Sequence, residues 1–436
     1  MTNLIRYLME TPMADTHEHQ PTEDEYLGGG APDVLQDLFG HYVRHDLVTA
    51  GADPKSVEHA LDANIPDIAA RFEGVREAWD RCRHTGYGEA THWIARNVYG
   101  MEEITTRGIE EAFDTNTRLR RPGERLRILR ETANLDHVQV DTGSWSWVPD
   151  AGCPDFFLHD IGWVMLVNGQ LDLQALYTQT GVEVKAPGSF RQALEAVFDK
   201  NAPTAVAVKS QHAYSRSLAW RDRTDDEVAG PLSSAIAGAE LTQDEKTCIG
   251  DWALARGAEL AAHYDFPFKI HTGYLAGNNN LMLDRLRPAH LCELIISHPQ
   301  TRFVLMHTAY PFNHELLALA KNFSNVHVDF CWGWAMDPMN AAGLLRGLIH
   351  CSPAHKIFAF GGDSWHPNAT AAYADQARRW INRALQAEVN DGLMTEREAI
   401  TFAARIMLKN QAECFRIGDR KRSLREIAAA TADSKQ

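Results

Sequence analysis

The chain has 436 residues, of which 44% are hydrophobic and 23% charged, and its formal net charge is −15. These proportions are those of an ordinary globular protein, and the length exceeds what one core usually fills, so two domains or one embellished barrel are expected. The acidic balance argues against a nucleic-acid partner, which requires clustered Lys and Arg, and no stretch approaches the roughly 18 uncharged apolar residues of a membrane span.

The opening "MTNLIRYLMETPMADTHEH" has no basic start followed by a long apolar run, so no signal peptide is expected and the chain reads as cytoplasmic. Short runs rich in β-branched residues follow, each bounded by polar or glycine-containing segments. They are 13–19, 135–143, 161–169, 204–210, 266–273, 302–309, 326–333 and 356–364. All are too short and too β-rich for core helices. Helix-like periodic stretches lie between the later ones. Eight buried strands alternating with helices predict a (β/α)8 TIM barrel in the α/β class.

The spacing is uneven. Residues 20–134 separate the first run from the second, far more than one crossover needs. They read as helices broken by Gly and Pro, such as "DIAARFEGVREAWDRC", and predict a helical insertion capping the barrel. The barrel itself would take residues 1–19 and 135–418. The tail from about 370 is helical, and its charged end, 419–436, is expected to fray. Seven scattered cysteines without a CxxC pair predict reduced thiols.

Barrel enzymes carry their chemistry where strands run out at the C-terminal face. The polar residues at those positions are His17, His19, Lys209, His271, His307 and Asp363, from strands 1, 4, 5, 6 and 8. Alternate strand residues share a face, so His17 and His19 point together. Taken singly, each has an ordinary reading: a structural histidine, a solvated lysine, an aspartate in a turn. Together they predict a divalent metal, with imidazole and carboxylate suiting Zn2+ first and Mn2+ or Fe2+ next, as one or two ions.

Several segments, "ADTHEH", "VAVKSQHAYSR", "KIHTGY", "RFVLMHTAYPF", "NVHVDFCW" and "FAFGGDS", carry a resemblance to the amidohydrolase superfamily. The branch is the amidohydrolase-related one, near uronate-isomerase-like proteins and the amidohydrolase domain fused to some glutamine synthetases. The resemblance spans the first strand and about 200–418; the insertion shows none. It implies His17, His19, His271 and Asp363 as metal ligands. With two ions, Lys209 as a carboxylated bridge and His307 would join them. A metal lowers the pKa of bound water from about 15.7 towards 7 and polarises a carbonyl, and Asp363 would act as general base and acid. His307 would otherwise stabilise developing negative charge.

Trp145, Trp147, Trp332, Trp334 and Trp365 cluster beyond strands 2, 7 and 8, either as packing between loops or as an aromatic-walled pocket. Past Lys209, Tyr214, Arg216, Arg221 and Arg223 follow. These residues read equally as a solvated loop or as substrate contacts, and for the second Arg216 is the choice among the arginines for a substrate carboxylate, because Arg presents paired donors. The expectation is a metal-dependent hydrolase acting on an amide, lactone or related bond of a small carboxylate-bearing molecule, assembled as a homo-oligomer. Uronate isomerisation is the alternative, with metal-dependent decarboxylation beside it; a catalytically silent regulatory barrel is the non-enzyme reading.

Overall fold

The computed structural model describes residues 2–28, 33–145 and 153–433. Eight strands form one sheet in sequential order: β1 Met13–Glu18, β2 Leu135–Val140, β3 Phe157–Gly162, β4 Ala205–Ser210, β5 Pro267–His271, β6 Arg302–Met306, β7 Val326–Asp329 and β8 Ile357–Phe358. Every neighbouring pair is parallel. The segment after β8 returns to β1: Thr16 N–H donates to the Phe360 carbonyl, Asp363 N–H to that of His17, and His19 N–H to that of Ser364. This seam closes the expected barrel. All residues of β1, β3 and β4 are buried, because barrel strands are covered by side chains inside and helices outside.

Strand 3 does not lie at 161–169. It runs over Phe157–Gly162, and Val164–Val167 is a helical turn. Gly162 touches the Gly143–Ser144 backbone so closely that a Cβ would stand 2.5 Å from Gly143 C. Trp163 then leaves the sheet, and its indole N–H donates to the Ala253 carbonyl at 2.9 Å. An apolar run that passes from strand to helix has no period by which to split it.

Between β1 and β2 the described chain is helical, from Glu23–Gly28 to Ile128–Thr132. Phe39, Phe72 and Trp79 pack there around ring contacts of 6.0 and 5.4 Å. Gln376 of the helix Pro367–Asn390 donates to the Gly86 carbonyl at 2.9 Å, tying these helices to the barrel. The charged end does not fray through its described length: it forms the helix Ile417–Asp433. Leu424 is buried, Lys421 pairs with Asp136 at 2.8 Å, and Arg425 pairs with Asp155 at 2.9 Å.

Candidate metal centre

His17 and His19 leave β1 towards the same end of the barrel, and Asp363 arrives there on the loop after β8. Asp363 Oδ1 stands 3.2 Å from His17 Nε2 and 3.2 Å from His19 Nε2. Ligand atoms about 2.0–2.1 Å from a tetrahedral ion are separated by roughly 3.3 Å, so both histidine–aspartate separations suit donors to a divalent metal. Asp363 has a left-handed backbone (φ 53). Its N–H donates to the His17 carbonyl and its carbonyl accepts the Tyr42 hydroxyl at 2.6 Å. Next to it, the Ser364 N–H donates to Glu18 Oε2 at 2.6 Å. Gly362 lies against the same carboxylate, where a Cβ would meet Oε1 at 2.0 Å.

His307, Thr308, Ala309 and Trp332 also have positive φ, between 50 and 64. Such conformations cost of order 1–3 kcal/mol each in non-glycine residues and concentrate at functional sites. Here five of them surround one centre, so the loops after β6, β7 and β8 are held by the fold in shapes they would not choose.

The remaining ring nitrogens follow from their partners. His19 Nδ1–H donates to the Asp141 carbonyl at 2.9 Å, leaving Nε2 as the ring nitrogen that faces Asp363. His307 Nδ1–H donates to the Cys331 carbonyl at 3.2 Å, and its Nε2 is buried without a hydrogen-bond partner. His271 Nε2–H donates to the Tyr274 carbonyl at 2.8 Å, and its ring lies 4.1 Å from that of His307. Burial and the Lys209 ammonium hold His17 well below the usual imidazole range; burial, His307 and Lys209 do so for His271. Burial brings His307 down to about 3 against the pull of Asp363. These are neutral imidazoles, the form that binds metal. Burial lowers His19 too, but Asp363 outweighs it. Burial raises Asp363, yet the hydrogen bonds from His17 and His19 keep it well below the carboxylate range, and so ionised.

A cavity of about 260 Å³ opens over this centre. His17, His19, Lys209, His271, Asp363, Tyr214 and Trp365 line it, as do Tyr42 and Gln211, which sequence reasoning missed. Lys209 is 1% exposed and is the only Lys or Arg among its described lining residues. Trp365 stacks on the His19 ring at 5.4 Å. Trp332 lies beneath the wall, 4.7 Å from the Tyr42 ring and 5.7 Å from His307. His307 itself is buried beside the cavity and 3.9 Å from Asp363 Oδ2.

Four expected substrate contacts do not line the cavity: Trp332, already placed beneath its wall, and Arg216, Trp334 and Trp145. Arg216 is buried and turned away, paired with Asp251 Oδ1 at 2.5 Å and donating to the Ala219 carbonyl at 2.9 Å. An arginine so far out of water must be paired, and a helix carboxylate supplies the partner. Trp334 is packing: its indole N–H donates to the Ala359 carbonyl at 2.7 Å and its ring stacks on Phe330. Trp145 is buried outside the lining. Trp147 lies outside the described residues. Arg221 and Arg223 pair with Glu227 and Asp251.

Asp141 was also missed. It follows β2 as Asp363 follows β8, and groups with His17 and His19 as potential ligands. The rule that found the other strand-end residues applies to "VQVDTG" as well. One layer deeper, Lys269 Nζ reaches the Thr16 carbonyl at 2.7 Å, Gln139 Oε1 at 2.9 Å and Asp160 Oδ2 at 2.6 Å, forming the floor of the site.

Residues 181–395 match the model of a family described as Amidohydrolase. Among curated proteins, the chain is 24% identical over 230 residues to the protein FluG of Emericella nidulans, across 50% of this chain and 26% of that one. The chain thus spans about a quarter of that relative's length. Two solved structures are similar in fold. The uronate isomerase of Thermotoga maritima has a TM-score of 0.78 at 14% identity, covering 94% of this chain and 96% of its own. The glucuronate isomerase of Caulobacter crescentus has a TM-score of 0.79 at 15% identity, covering 95% and 93%. Among the described residues, no helix is long and apolar enough to cross a membrane.

Proposed function

The chain belongs to the amidohydrolase-related TIM-barrel superfamily, and from that premise we propose that it is a metal-dependent hydrolase of a small, carboxylate-bearing substrate. The observation that carries this reading is the single Asp363 oxygen placed 3.2 Å from both His17 Nε2 and His19 Nε2. These three residues would hold the ion, Zn2+ first, with His271 beside them. A divalent ion there would acidify water and polarise a substrate carbonyl.

The chain's own residues divide the rest of the work. Asp363 is ionised and has its second oxygen, Oδ2, free of the two β1 histidines, so it takes the proton from water and returns it to the leaving group. The Lys209 ammonium binds the substrate anion, since no other Lys or Arg lines the described cavity. His307 spends its N–H on Cys331, so towards the centre it offers a lone pair rather than a proton. That suits a ligand or an acceptor from a substrate hydroxyl better than an oxyanion donor. Tyr42 and Trp365 wall off water. Residues 20–134 act as a cap on the barrel of residues 1–19 and 135–418.

A second reading, interconversion of aldose and ketose forms of a uronic acid, is favoured by the likeness in fold to two isomerases along nearly the whole chain, intervening helices included. Metal analysis together with turnover on amides, lactones and uronates separates the two. Hydrolysis of an amide or lactone supports the first reading. Full metal occupancy in a His17→Ala, His19→Ala double variant would sink the metal assignment under either.

A further inference from the structure

Asp141 is 1% exposed and directly follows the C-terminal end of β2. Two of its three oxygens have structural work. The main-chain carbonyl orients His19, and Oδ1 accepts the Gly143 N–H at 2.8 Å, closing the turn after the strand. The third, Oδ2, is buried without a hydrogen-bond partner, and among the described residues no Lys or Arg forms an ion pair with Asp141. Removing one charge of a buried pair leaves the other uncompensated at a cost of about 3–5 kcal/mol, so an isolated buried carboxylate calls for a cation. One Asp141 carboxylate oxygen lies within 4.8 Å of ring nitrogens of both His17 and His19.

We propose that Asp141 is a further ligand to the ion held by His17, His19 and Asp363. This rests on the metal reading above and adds a carboxylate from β2 to the one that follows β8. It also completes the charge balance. Two carboxylates offset a divalent ion, and the Lys209 ammonium remains as the uncompensated charge facing the cavity, free for an anion.

Asp141→Asn is a sharp test because Asn keeps Oδ1 for Gly143 and the carbonyl for His19, and loses only the anionic oxygen. Asp141→Ser is the second variant, with a shorter side chain. Metal-stripped wild type and both variants are titrated with Zn2+ against a chromophoric chelator, and their Co2+ adducts are compared by visible absorption. The expected result is a loss of Zn2+ affinity of at least about tenfold in both variants, with an altered Co2+ spectrum and unchanged melting of the metal-free protein. Wild-type affinity and an unchanged spectrum in a folded variant would overturn the proposal while leaving the three-residue centre standing. A wild-type chain that binds neither ion overturns that centre and this ligand with it.

Discussion

Tyr42, from the helices between β1 and β2, donates its hydroxyl to the main-chain carbonyl of Asp363 at 2.6 Å. These helices thus hold a residue of the candidate metal centre directly, by its backbone and in a left-handed conformation. Tyr42→Phe keeps the ring against Trp332 and removes only this bond. We expect a loss of about 0.5–1.5 kcal/mol in urea unfolding and reduced turnover with metal retained. Unchanged turnover would show that Asp363 keeps its place without this bond.

Asp363→Asn separates ligand from proton carrier. Asn retains an oxygen for weak coordination but cannot accept the proton, so turnover should fall by about 10²- to 10⁴-fold while part of the metal remains. His298→Ala is the control, since His298 precedes β6 at the opposite end of the barrel and should leave turnover unchanged. Near-normal activity in Asp363→Asn would remove it from the mechanism.

Lys209→Met should raise KM for an anionic substrate and leave the metal content as it was. A fall from two ions to one in that variant would instead mark Lys209 as a bridge between metals.

Arg216→Ala should destabilise the fold by less than the roughly 3–5 kcal/mol of a fully stranded buried charge, because Arg223 still pairs with Asp251. KM in the surviving folded protein should not change. A large KM effect with normal stability would return Arg216 to the substrate.

His41 is buried between the Thr91 hydroxyl at Nε2 and the Tyr373 hydroxyl at Nδ1, both at 2.9 Å. Burial, aided by His366, brings it down to about 3. Below about pH 6.5 the unfolded chain takes up a proton here and the folded chain does not. The stability from a neutral His41 is therefore full at pH 7 and is lost as pH falls towards 3, by about 1.4 kcal/mol per pH unit. Unfolding free energies between pH 7 and 5 should show this slope, and His41→Gln should flatten it. An equal slope in the variant would assign the effect to other buried histidines, such as His327.

The legible parts of the site were those written locally. His17, His19, Lys209, His271, His307 and Asp363 each end a β-rich run, and the two-residue period brings inward-facing positions to one end of the barrel. Asp141 obeyed the same rule and was passed over because its strand ends in an ordinary turn sequence. Tyr42 carried no local sign, since its role depends on a contact made 321 residues away. Arg216 failed for the same reason: nothing near it in sequence announces Asp251 as its partner. Strand 3 was misplaced because "IGWVMLV" is apolar across the end of a strand, a corner and a helical turn.

The seam between β1 and the loop after β8 bears on how the protein is made. Glu18 and Ser364, joined across it, are 346 residues apart, so a nascent chain exposes His17 and His19 long before Asp363 has been synthesised. Until the last strand docks on the first, the histidine pair lacks Asp363 and the seam that closes the barrel is unformed. Closure of the candidate site therefore belongs to the end of biosynthesis. A chain truncated before β8 would emerge from the ribosome with His17 and His19 and no clasp to close on them.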